Sequence, residues 1–432
     1  MRSEHIRSFY AARLASRVTH AELVGAQHTQ AGVVGGGLAG LTAAVELASR
    51  GVSVVLLEAE RIGWGASGRN GGFVSAGFAE GIDGIEKAVG IDAARRLYKL
   101  SQEGVSYIRR TLDEEGAGDL IEGGGWLKVQ RYPGERQLAE RRDKMARDYG
   151  VELELFNREQ VQHYLNSERY HHALFNSEPF HIDPLAYSEV LRRKLVALGG
   201  TIHEETEVSG IKKNGASWRI HASHGCVSCE HVVVATSAYG VVNGTYLPVD
   251  RTMQPVATYV VTSAVMPERL KHVIRFNGCI ADTRRAGDYY RLVDEGRRLL
   301  WGGRITTRRS EPRHLARLLK SQILEIYPDL GDFPVEHAWS GLMGYSRNRM
   351  PLIGQLKPGL WAATAFGGHG LNTSAMGGLL VARAIAERDD TWEAFKSFGP
   401  VWAGGVAGRA AVQTEYLRLQ LLDRLEERRV PS

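Results

Sequence analysis

The sequence predicts an α/β fold, and three stretches within its first sixty residues carry that prediction. Ala31 to Gly35 is a short apolar run of strand length. Leu38 to Arg50 places Leu41, Ala44, Val45 and Ala48 at helical spacing. Val52 to Glu58, VSVVLLE, is almost continuously apolar, as a central parallel strand covered on both faces should be. Strand, helix and strand within some thirty residues make a βαβ unit.

The remaining elements follow in order. Helices are expected over 92–115 and 134–148, with short strands at Trp126 to Gln130 and Val151 to Phe156. A helix over Pro184 to Leu198 precedes strands at Thr201 to Val208, Ser217 to Ala222 and His231 to Ala235. The region 250–304 is rich in strands, at Ala257 to Thr262, Tyr289 to Val293 and Arg298 to Trp301. A helix near 312–326 leads to a Gly-rich return over 339–372. Helices over 372–387 and 409–428 close the chain. No internal repeat or low-complexity linker separates these parts, so two interleaved domains are expected.

Composition bounds the function. The chain has 432 residues, 43% hydrophobic and 24% charged, as in ordinary globular proteins. Fifty-four Lys and Arg face 49 Asp and Glu, a net +5 without a basic stripe, which argues against nucleic acid. Three cysteines, Cys226, Cys229 and Cys279, do not make a disulfide framework. Cys226 and Cys229 have the spacing of half a zinc site, but no second pair completes it, so no metal is expected. The charged N-terminus has no apolar core of a secretory signal. The most apolar stretch, 31–48, carries five glycines, Thr42 and Glu46, a poor membrane span. These features point to a cytoplasmic protein.

Gly35-x-Gly37-x-x-Gly40 joins the first strand to the helix. In a dinucleotide fingerprint the first glycine makes the tight turn, the second lets the backbone approach a pyrophosphate, and the third lets helix and strand pack closely. The helix start, Leu38 and Ala39, offers N–H groups and a positive dipole end to phosphate. Glu58 ends the second strand, where a carboxylate accepts from a ribose and repels a 2′-phosphate. FAD and NAD both remain at this point.

A second glycine-rich segment, Gly63-Trp-Gly-Ala-Ser-Gly-Arg-Asn-Gly-Gly72, follows directly. GWGASGRNGG resembles the signature of FAD-dependent oxidoreductases of the D-amino-acid oxidase superfamily, most of all the gamma-glutamylputrescine oxidoreductase branch. Ser8-Phe-Tyr-Ala-Ala12, His181-Ile-Asp-Pro184, Glu207-Val208, the strand end VVVATSA, Trp339-Ser-Gly-Leu-Met343, Arg349 to Gly354 and Phe366-Gly-Gly-His-Gly-Leu-Asn372 are similar to further motifs of that family. The resemblance implies a Rossmann-type FAD-binding domain made of 1–90, 180–248 and 335–432. A substrate domain of 91–179 and 249–334 would cover it. It implies cofactor contacts at Gly35, Gly37, Leu38, Ala39, Gly40, Glu58, Ala66, Ser67, Arg69, Asn70, Gly71 and Gly72. Others fall at Val208, Thr236, Gly368, Gly370, Leu371 and Asn372. His369, Tyr290 and Arg291 become the catalytic candidates, with Tyr259 and Tyr289 on the substrate side. His369 is read as a flavin contact rather than a general base.

The departures narrow the chemistry. Sarcosine oxidases hold flavin through a cysteine in the return segment; here 339–345 has none, so FAD is expected to be noncovalent. Met343 stands where glycine oxidases have a carboxylate-clamping arginine, and Asn372 where sarcosine oxidases have a substrate lysine. Arg291, Arg347 and Arg349 stay open as substitutes. Between Leu270 and Arg304 the only lysine is Lys271, so O2 and another electron acceptor both remain. The expected activity is oxidation of the C–N bond of a small primary or secondary amine, including a γ-glutamylated polyamine, to an imine that hydrolyses. The alternatives are an oxidase or dehydrogenase of amino acids or N-methyl amino acids, an NAD-linked dehydrogenase, and a flavin-binding sensor without turnover. Self-association into a homo-oligomer stays open.

Overall fold

The first apolar run lengthens backward into the strand Gly25–Val34, whose last four residues alone are all buried. It lies at the centre of an eight-stranded sheet. The order across the sheet is Leu352–Lys357, Leu360–Thr364, Gly225–Val234, Gly25–Val34, Val54–Leu57 and Thr201–His203. Four of the five pairings along this order are parallel, with Val33 opposite both Val233 and Leu56. Val208–Asn214 and Ser217–Ala222 add an antiparallel ribbon at one side. The computed structural model describes residues 4–14, 18–243, 247–284, 287–307 and 311–427.

Helices cover this sheet through small residues. Leu38–Ser49 crosses Gly370–Glu387 at Gly378, where a Cβ would fall 2.7 Å from Ala39 O. Ile91–Glu114 crosses the same C-terminal helix at Gly104, where a Cβ would fall 2.1 Å from Asn372 O. Leu41, Val45, Leu97, Ile108, Leu112, Ala375 and Leu379 form one core between them.

The second sheet has nine strands. Its order is Val335–Ser346, Met253–Ser263, Arg298–Thr306, Tyr289–Val293, Cys279–Asp282, Ile121–Gln130, His172–Ile182 and Phe73–Val74, with Glu154–Phe156 beside His172–Ile182. Leu315–Ile326 packs on it, and Tyr259, Tyr290, Trp301, Tyr327 and Phe333 fill its core. Tyr290 stacks on Trp301 at 4.1 Å, a contact worth about 1 kcal/mol beyond the area it buries.

Several expected boundaries move. Val335–Ser346, read from sequence with the dinucleotide part, pairs along its length with Met253–Ser263 in the nine-stranded sheet. Ile91–Glu114, read with the substrate part, shares its core with the helix Leu38–Ser49. An amphipathic helix shows which face is apolar, not which sheet that face will cover. The expected strand Thr201 to Val208 breaks after His203 and resumes at Val208. Between the two pieces Glu205 adopts a left-handed conformation, φ 51°. The C-terminal helix is Gly405–Glu427, and residue 428 of its expected span lies outside the described residues. Cys226 and Cys229 lie on one strand, three residues apart, and so point to opposite faces. Among the described residues no group of three or more His, Cys, Asp or Glu is placed to hold a metal, and no helix is long and apolar enough to cross a membrane.

Candidate active site

The two sheets and the helix starts enclose a cleft of about 580 Å3. Gly35 turns at φ +109°, and a Cβ there would lie 2.8 Å from Ala235 O. Gly37 caps the helix Leu38–Ser49; a Cβ on it would meet only Ser67, at 2.9 Å from Oγ, and otherwise projects into the cleft. Gly40 packs so closely that a Cβ would stand 1.9 Å from Gly35 O. It serves the helix–strand contact and does not line the cleft. The first turn of the helix offers N–H groups and a positive dipole end to the space above Gly37.

Glu58 lines the cleft and closes this turn. Its Oε2 accepts from Gly36 N at 2.6 Å and its Oε1 from Glu60 N at 2.9 Å. Burial nevertheless pushes its carboxyl up to about 7. Glu204 supports the segment after it, accepting from Ile62 N at 2.8 Å and His20 N at 2.9 Å.

The loop 63–72 forms the cleft's floor. Asn70 Nδ2 donates to Ala66 O at 3.1 Å and Ser67 O at 2.9 Å, and its Oδ1 accepts from Gly72 N at 2.8 Å. Ser67 Oγ accepts from Leu38 N, joining the loop to the helix start. The Arg69 guanidinium lies over Trp64 at 4.1 Å and over Tyr239 at 5.5 Å. Its Nη2 and the Thr236 Oγ1 are buried without hydrogen-bond partners, and both residues line the cleft. Such orphaned polar atoms call for a ligand. Val208 meets the same space from the neighbouring strand.

At the other end, His369 caps the helix Gly370–Glu387. Its Nε2 lies 3.2 Å from Ala76 O and 3.1 Å from Ser75 Oγ. A carbonyl oxygen only accepts, so Nε2 carries the proton and Nδ1 does not. Part of the ring opens onto the cleft, yet protein surrounds it, and burial pulls its pKa down to about 4. Trp126 stacks on the ring at 6.3 Å. Phe73, Trp126 and Tyr289 form an aromatic wall, with Met343 and Phe366 nearby.

Of the catalytic candidates, only His369 lines the cleft. Tyr290 lies in the core of the nine-stranded sheet, where its hydroxyl donates to Tyr170 Oη at 3.0 Å and meets Tyr327 Oη at 2.7 Å. Tyr259 is also in that core. Alternation along the strand turns Tyr289 to the cleft and Tyr290 away from it. Arg291 is fully buried beneath the floor. It donates to Gly71 O and Ile182 O at 2.8 Å, to Glu122 at 2.8 Å and to Tyr10 Oη at 3.2 Å. Tyr10 in turn donates to Asn70 O at 2.9 Å, so the N-terminal SFYAA segment is a brace for the loop. Gly72 stands against that brace, off the cleft. Asn372 also turns away, donating to Gly77 O at 3.2 Å and Ser101 O at 3.3 Å. Arg347 and Arg349 are exposed, the latter paired with Glu80 at 2.6 Å. Sequence reading missed Trp64, Tyr239, Phe73 and Trp126. Isolated aromatics carry no periodic signal of a cleft wall.

A helix start, an acid at the neighbouring strand end and two orphaned polar groups in one elongated cleft fit a dinucleotide. Comparison with known proteins decides which class of protein this is. The family model described as FAD dependent oxidoreductase matches residues 30–384. The chain belongs to that family. It is 30% identical over 394 residues to gamma-glutamylputrescine oxidoreductase of Escherichia coli, with 91% of this chain and 92% of that protein covered. It is 29% identical to the probable oxidoreductase OrdL of Rhizobium meliloti, over 94% of both chains. Its fold resembles glycine oxidase from Geobacillus kaustophilus, with a TM-score of 0.73 at 19% identity over 87% of this chain and 99% of that one. L-proline dehydrogenase from P. horikoshii superposes with a TM-score of 0.72 at 20% identity, over 87% and 97% of the two chains. The chain is thus an FAD-dependent oxidoreductase with a Rossmann-type FAD-binding fold beside a second, antiparallel-rich sheet.

Proposed function

We propose that this protein oxidises the C–N bond of a small primary or secondary amine, and that it holds FAD without a covalent bond. The observation that carries the reading is what surrounds His369. The wall is aromatic, Met343 brings no charge, and Asn372 is spent on two backbone carbonyls. Among the described residues the arginines lining the cleft are Arg69 and Arg284. Arg69 is stacked on Trp64, and Arg284 is ion-paired with Asp282 at 3.1 Å and with Asp288. An α-carboxylate next to the reacting carbon therefore finds no bidentate partner there. The 30% identical gamma-glutamylputrescine oxidoreductase supports the same substrate class.

Bound FAD would supply the hydride acceptor. Gly37, Leu38 and Ala39 would meet its pyrophosphate, Glu58 its ribose, and Ala66, Ser67, Arg69, Asn70 and Gly71 its middle. Val208 and Thr236 would contact its adenine half, and Gly368, Gly370 and Leu371 its ring. The start of the helix Gly370–Glu387 favours negative charge at that ring. The protein's own part is positional: Phe73, Trp126 and Tyr289 orient the substrate and exclude water. His369, neutral with its proton engaged at Ala76 O, offers no charge to a substrate ammonium. The amine must therefore arrive deprotonated. None of the three cysteines lines the cleft, which supports noncovalent attachment. We read the eight-stranded sheet as the FAD-binding part and the nine-stranded sheet as the substrate cover.

The test is anaerobic addition of alkyl amines to the yellow protein, followed by carbonyl detection. Bleaching with stoichiometric aldehyde or ketone is expected. Colour that survives every amine overturns the reading. Acid precipitation should leave the flavin in the supernatant; flavin in the pellet contradicts noncovalent binding.

A further inference from the structure

One cation beside the cleft has no task in this account. Lys128 stands two residues from Trp126 on the strand Ile121–Gln130, so the two share a face. It pairs in register with Ala281, and Ala281 with Tyr289. Trp126, Ala281 and Tyr289 all line the cleft. Residues opposite one another across a sheet share a face. Lys128 therefore lies on the sheet face that forms the cleft's wall, next to the lining residues.

Its surroundings are unusual for a lysine. The side chain is open to solvent, while desolvation and the neighbouring Arg141 charge lower its pKa from the usual lysine value. Among the described residues it has no ion pair and no hydrogen bond from its ammonium. The Arg141 guanidinium, from the helix Glu135–Tyr149, adds a second positive charge, and the field of Lys128 reaches His369. Arg141 has its own partner in Asp83 at 3.2 Å. A cation beside another positive charge and without a counter-charge gains from an anion placed next to it.

We propose that Lys128 is the anchor for a carboxylate at the far end of the substrate. The preferred substrates are then amines with an anionic tail, and free diamines are turned away. This rests on the amine reading above. A diamine would bring its second ammonium toward Lys128 and Arg141, whereas a tail carboxylate would gain a charge-assisted contact. Such a contact is worth about ten- to a hundredfold in affinity.

The experiment compares chain-matched probes on the holoenzyme: 6-aminohexanoate, hexylamine and 1,6-diaminohexane, with the same set at eight carbons. At equal subsaturating concentration, the amino acid of at least one length should reduce flavin about tenfold faster than its diamine. Lys128→Met should erase that preference, and Lys128→Arg should retain it. Calorimetric binding of adipate and suberate to the holoenzyme tests the anchor separately, with a loss of about tenfold or more expected in Lys128→Met. A diamine that wins at both lengths, or dicarboxylate binding that is absent or indifferent to Lys128, overturns the proposal. If no amine bleaches the flavin while dicarboxylate binding still depends on Lys128, the amine reading falls and the anchor stands.

Discussion

Affinity for FAD should rise with pH, and Glu58 is the reason. Its carboxyl, ordinarily near 4.5, is pushed up to about 7 by burial, against the two backbone N–H groups that favour its charge. A raised acid binds its proton more readily folded than unfolded. The protein without cofactor is therefore relieved of any cost below pH 4.5 and loses stability as pH climbs toward 7. Ribose hydroxyls donate to the ionised form and would draw the value down again. If binding restored an ordinary carboxylate, the difference would be worth about 3 kcal/mol. That sets a ceiling of roughly a hundredfold on the affinity gained between pH 5 and 8. The assay is flavin-fluorescence titration of apoprotein at fixed ionic strength. The dissociation constant should fall as pH rises through 7 and level off above 8. Glu58→Gln should flatten the profile and weaken binding at high pH. A flat wild-type profile, or an unchanged slope in Glu58→Gln, refutes the reasoning.

Three further outcomes follow from the geometry. Gly40→Ala forces a Cβ to within 1.9 Å of Gly35 O; it should cost about 3 kcal/mol or more, read as a lowered urea midpoint or lost soluble yield. Arg291→Met leaves Glu122, Gly71 O and Ile182 O without their buried partner. Its cost of about 3–5 kcal/mol should appear in melting temperature and flavin content, while the ranking of substrates stays unchanged. His369→Ala should slow flavin reduction by about tenfold, the scale of one lost hydrogen bond. Because His369 titrates near 4, the acidic limb of the rate profile should persist in the variant and follow the amine's own pKa; its disappearance would make His369 the base.

What was legible in the sequence is what local chemistry dictates. Gly35, Gly37 and Gly40 announce a turn that tolerates no side chain, and the structure places each in a distinct close approach. The apolar run at 52–58 announces a covered strand, and Val54–Leu57 is buried throughout. Tyr290 and Arg291 were misplaced for a different reason. Period-two alternation gives opposite faces to neighbours, but sequence alone does not say which face meets the cleft. Arg291 reads as a binding residue because it follows two tyrosines in the strand-rich region; its partners come from Tyr10, Gly71, Glu122 and Ile182. Pairings over such separations leave no local trace. The same holds for Lys128, whose significance depends on the cross-strand row through Ala281 and Tyr289.

The most direct test of the central claim sets amines against α-amino acids at the flavin. The rate of anaerobic bleaching should be measured at equal, subsaturating concentrations of a primary alkyl amine, a secondary alkyl amine, glycine, sarcosine and D-alanine. With Met343 uncharged and Asn372 held by Gly77 O and Ser101 O, an α-carboxylate entering the site leaves its charge unpaired, at a cost of about 3 kcal/mol or more. The alkyl amines should therefore lead by about a hundredfold or more. Faster bleaching by glycine, sarcosine or D-alanine would contradict the account and require a carboxylate-binding cation beside His369.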